Sequence, residues 1–78
     1  METKDYDRVM ELRSALILLL SGLGMSKTRI MLTMAIIVAY QIEEEMVRWI
    51  ASYKGKEDTL TAQAFMSKLK KLTDDNNN

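Results

Sequence analysis

The chain has no cysteine, no histidine and no proline, and only three glycines, one tryptophan and one phenylalanine among its 78 residues. Without cysteine there is no disulfide and no thiolate, which suits a reducing cytoplasm. With histidine missing as well, the usual general base and the soft metal ligands are gone. Charge of one sign is lacking too: eleven basic and eleven acidic residues cancel. A neutral balance exerts no long-range pull on nucleic acid or anionic lipid. No apolar run reaches the roughly 20 residues that a membrane span requires. The two runs at 15–25 and 30–39 are separated by Lys27 and Arg29. The opening METKDYDRVMELR is charged and of mixed sign, unlike a signal peptide. These absences lead to the expectation of a soluble cytoplasmic protein with no cofactor and no membrane partner.

What is present is helical periodicity. There is no useful apolar–polar alternation and no Asn-Gly or Asp-Gly turn, so strands are not expected. Residues 1–73 read as a single all-α domain of four helices, and 74–78 (DDNNN) as a disordered tail with nothing apolar to anchor it. Helix 1, 5–21, gathers Tyr6, Val9, Met10, Leu12, Leu16, Ile17, Leu19 and Leu20 over about half its circumference. Gly22 and Gly24 then offer left-handed stopping positions. Ser26 is the expected N-cap of helix 2, 27–39. Helix 3, 41–54, collects Glu43, Glu44 and Glu45 in its first turn, where the helix dipole favours carboxylates. Its face of Ile42, Met46, Trp49, Ile50 and Tyr53 is the cleanest amphipathic stripe in the chain. No Gly or Pro separates helices 2 and 3; the acidic cluster argues for a break near Tyr40. Helix 4, 61–72, is capped by Thr59 or Thr61 and turns Ala62, Phe65, Met66, Leu69 and Leu72 to one side.

The order GMSK, an apolar helix, QIEEEMVRWI, a short loop and an amphipathic helix resembles small four-helix proteins of bacterial genomes that carry no assigned activity. The resemblance covers residues 22–72. It implies a helical fold and a bacterial source, and nothing about chemistry.

Candidate catalytic and ligand groups are few. Glu43, Glu44 and Glu45 point about 100° apart on one helix and cannot converge on a ligand. No motif surrounds any serine. SGLGMSKT has the ingredients of a phosphate loop, but Gly24 is followed by Met25 and Ser26 where a P-loop requires lysine and Ser/Thr. A plain interhelical turn is the expectation there. Glu44 and Arg48, four apart, suit a surface pair. No catalytic, cofactor or metal site is expected, and the chain does not read as an enzyme.

Helix 2 stands apart. IMLTMAIIVA places apolar side chains in every direction around the axis, and such a helix must be covered on all sides. It is expected at the centre of a compact bundle. Either the other three helices cover it completely, or they leave an apolar strip for a dimer or another protein. Methionines, including Met31, Met34 and Met46, would make that surface adaptable. Arg13 interrupts the apolar arc of helix 1. Its expected state is an apolar stem packed on the core with the guanidinium reaching out or meeting an acid, the first turn of helix 3 being one candidate. The sharper alternative is an interface anchor. Leu18, on the polar side, is an ordinary exposed leucine.

The sequence thus predicts a self-associating protein-interaction module that works through Arg13, Leu16, Leu19, Met31, Leu32 and Ile36. A small DNA-binding regulator is the alternative, using helix 4 (Gln63, Ser67, Lys68, Lys70, Lys71) and the Lys54 and Lys56 loop. Against it, helix 3 exposes acids that phosphates would repel.

Overall fold

Three breaks divide the helical pattern, each around a residue in the left-handed region. The computed structural model describes the backbone of residues 3–76 and the side chains of 6–75. It contains α1 (Thr3–Gly22), α2 (Lys27–Tyr40), α3 (Glu43–Ala51) and α4 (Ala62–Asn76), with a 3-10 turn over Glu57–Thr59 before α4. No strand occurs among the described residues. The four-helix, all-α domain expected from periodicity is the fold.

The first break uses glycine. Gly24 adopts φ 86, its N–H donates to the Ser21 carbonyl, and the Met25 N–H donates to that of Leu20. This paired pattern closes the end of a helix around a left-handed residue. Ser26 then caps α2, its hydroxyl accepting from the Arg29 N–H at 3.2 Å.

The second break repeats the same hydrogen-bond pattern without glycine. Gln41 sits at φ 53, ψ 47. The Gln41 N–H donates to the Val38 carbonyl and the Ile42 N–H to that of Ile37. Ile37 and Ile42 are 0% and 4% exposed, so burial of that pair holds the turn closed although a non-glycine residue in this region costs about 1–2 kcal/mol. Gln41→Gly relieves that cost but adds backbone freedom to the unfolded chain, so it is expected to stabilise the protein by a net 0.5–1 kcal/mol, about, on these magnitudes. A rise in urea midpoint with unchanged slope would register it; a fall would show that the glutamine side chain contributes to the turn.

The third break lies after Ala51, earlier than the expected end at 54. Successive hydrogen-bonded turns carry the chain to Gly55, at φ 85. The Gly55 N–H donates to Glu57 Oε2 at 3.1 Å, and this bond holds the Glu57 carboxyl below the usual carboxylate range. Of the two candidate caps for α4, Thr61 is used: its hydroxyl accepts from the Ala64 N–H at 3.0 Å. The helix runs on through Thr73, Asp74 and Asp75 to Asn76, past the expected end at 72. A formed helix gains one backbone bond for each residue added. Residues 77 and 78 of the expected tail lie outside the described residues.

The core is built from all four helices: Leu16 and Leu20 of α1, Ile30, Met34 and Ile37 of α2, Met46 of α3, and Phe65 and Leu69 of α4, closed by Ile42. Trp49 meets Phe65 edge-on with ring centroids 6.2 Å apart. α1 packs on α2 and α3, while α2 also packs on α4. Of the two alternatives for α2, complete cover or a leftover apolar strip, the second describes the chain. Only Ile30, Thr33, Met34 and Ile37 of α2 are buried, an arc of about 100° at 100° per residue. Two contacting helices cover one side of a cylinder and leave the other open.

Candidate interaction surface

The open side of α2 is apolar from Met31 to Ala39. From 31 to 39 the exposed residues are Met31, Leu32, Ala35, Ile36, Val38 and Ala39, and every exposed position in that interval is one of these six. Met31 and Leu32 are each 64% exposed. The one polar side chain in 30–39, Thr33, lies instead on the buried side, where its hydroxyl donates to the Arg29 carbonyl at 2.7 Å. The hydroxyl is thereby satisfied within its own helix, so burial costs little. The usual arrangement, with apolar residues in and polar residues out, is absent from this face.

Beside this face a groove of about 640 Å³ runs between α1 and α2, lined by Ile17, Ser21, Lys27, Ile30, Met31 and Met34. Ile17 is 43% exposed and widens the apolar surface onto α1. Tyr6 and Met10, expected in the covered arc of α1, are exposed as well.

The six residues expected to mediate association separate into three groups. Met31, Leu32 and Ile36 lie on the open face. Leu16 is corrected to a core residue, 1% exposed, because it is turned toward the interior shared with α2 and α4; Leu19 is half-buried against the same core. Arg13 turns toward α3, where its Nε donates to Glu43 Oε2 at 2.9 Å. This is the acidic partner the pattern suggested, and it leaves Arg13 tied within the chain. Arg8 makes a second α1–α3 ion pair with Glu44, so the partner of Glu44 is Arg8 and not Arg48. Ala35, Ala39, Val38 and Ile17 belong to the open surface but were not singled out. The three on α2 were legible from the same wheel; Ile17 was hidden by its place in the apolar arc of helix 1.

Other groupings offer less chemistry. A cleft of about 330 Å³ is lined by Arg8, Arg13, Glu43 and Glu44, whose charges are paired with one another. Among the described residues no three acidic side chains gather to hold a metal ion. The basic edge offered for DNA is interrupted: Glu57 and Asp58 follow Lys54 and Lys56, and Asp74 and Asp75 follow Lys70 and Lys71. No helix of the described chain is long and apolar enough to cross a membrane.

No protein-family model, curated protein or solved structure matches this chain.

Proposed function

We propose that this chain is a small non-catalytic protein-interaction module of the cytoplasm, and that it self-associates by burying the open face of α2. The observation that carries the reading is the inversion along 31–39, with six apolar side chains in solvent and the hydroxyl of Thr33 inside. A contiguous exposed apolar patch on a small domain is the usual mark of an interaction surface. The lack of histidine and cysteine supports a role without catalysis.

Energetics favour a reversible dimer. Burying a Leu, Ile, Val or Met side chain contributes about 1.5–3 kcal/mol at most, and these side chains are already part-covered. Four large residues from each copy then supply on the order of 10 kcal/mol, against an association cost of about 4–15 kcal/mol. The surplus is at most about 6 kcal/mol, so dissociation at tens of micromolar or weaker follows from that balance.

Sedimentation velocity tests it. The chain, 9.0 kDa as a monomer, is expected to sediment as a dimer at several hundred micromolar. Leu32→Glu is expected to give a monomer with unchanged helical circular dichroism, since Leu32 is 64% exposed and outside the core. A wild-type chain that stays monomeric up to several hundred micromolar would refute self-association.

A further inference from the structure

The open face of α2 has an internal order that restricts what fits it. Alanines lie along its middle, at 35 and 39, while Val38 and Met31 flank one edge and Leu32 and Ile36 the other. This placement follows from about 100° of rotation per residue. Ala35 stands midway along the apolar stretch 31–39. Charge is placed just as unevenly. Lys27 and Arg29 occupy the first turn of α2, which carries no acid, and the last turn carries no base. Both ends are therefore uncomplemented by their own residues, with cations at the positive end of the helix dipole.

A second copy laid antiparallel resolves both features. About a two-fold axis at Ala35, each residue comes level with the one equally far on the other side. Met31 then lies level with the partner's Ala39, a large side chain beside a small one, while the Leu32 and Ile36 edges of the two copies run along the same side of the seam. The two Ala35 residues meet at the axis and let the helices approach closely. Lys27 and Arg29 reach toward the C-terminal end of the partner's α2, the end its own sequence leaves without a cation. A parallel pair gathers four cations at one end instead.

We infer that the occupant of this face is α2 of a second copy, packed antiparallel about a two-fold axis at Ala35. The inference rests on the self-association proposed above and assigns its geometry.

The native chain has no cysteine, so single thiols can report the packing. Under mild oxidation Ala35→Cys is expected to convert more than half of the chain to covalent dimer, and adding Leu32→Glu should cut that yield at least tenfold. Both geometries allow the 35–35 bond, so direction is read by mixing Met31→Cys with Ala39→Cys. The antiparallel pair predicts a mixed 31–39 disulfide several-fold in excess of 31–31 and 39–39. Predominance of the two like pairs would overturn the inference in favour of a parallel dimer. A wild-type dimer in which none of these bonds forms would overturn it in favour of another surface. A wild-type monomer in sedimentation would remove the underlying self-association as well.

Discussion

Phe65→Ala is expected to cost about 3–5 kcal/mol, the usual range for truncating a fully buried phenylalanine. Phe65 is 0% exposed, the largest side chain buried to that degree. It joins α4 to a core otherwise made by α1, α2 and α3, and it supports Trp49. The loss combines the transfer term of the ring with a cavity that the surrounding Leu, Ile and Met side chains only partly refill. A chain of this length has about 4–12 kcal/mol of stability in all, so the variant is expected to be largely unfolded or to melt well below the parent. Urea unfolding followed by Trp49 fluorescence measures it. Because a dimer would stabilise the folded state in a concentration-dependent way, the comparison belongs in the monomeric Leu32→Glu background. Leu18→Ala is the control: Leu18 is 73% exposed and should change stability by no more than about 0.5 kcal/mol. Equal losses from the two substitutions would show that α4 does not depend on Phe65 for its docking.

The same comparison of buried with exposed side chains explains what the sequence could say. Periodicity located all four helices because each carries at least one covered stripe, and the caps at Ser26 and Thr61 were readable from their hydroxyls. The break at Gln41 was harder. The signal there is the apolar pair Ile37 and Ile42, which closes a left-handed turn that glycine usually makes. Nothing about glutamine itself announces it. The early end of α3 was missed because Ser52, Tyr53 and Lys54 continue hydrogen-bonded turns without keeping α-helical geometry.

The candidate surface was half legible. An all-round apolar helix requires cover, but composition does not say which side the chain covers itself. That depends on how many neighbours pack on α2, a property of topology. α1 and α4 pack most closely on α2, and the covered arc is the one containing Thr33. Leu16 and Leu19 were assigned to the surface for the same reason: the wheel of α1 gives a direction for its apolar stripe, not the identity of what lies there.

Arg13→Ala is expected to destabilise the chain by about 2–4 kcal/mol, somewhat below the range for breaking a fully buried pair because Arg13 keeps some access to water. The two side chains are unequally covered, at 33% exposure for Arg13 and 8% for Glu43. Removing the arginine leaves a carboxylate enclosed between α1 and α3 with only the N-terminal dipole of α3 to favour it. Removing the acid leaves a guanidinium that can swing toward solvent on its flexible stem. Glu43→Gln is therefore expected to cost less, about 1–2 kcal/mol. The double variant Arg13→Met, Glu43→Leu should come close to the parent or exceed it, since apolar residues of similar volume avoid the desolvation of both charges. A double-mutant cycle from denaturant unfolding gives the coupling directly. Coupling of at least about 1 kcal/mol would establish the pair as the fastener that fixes α3 against α1. Coupling near zero, with Arg13→Ala and Glu43→Gln equally harmless, would reduce it to a surface contact that restrains neither helix.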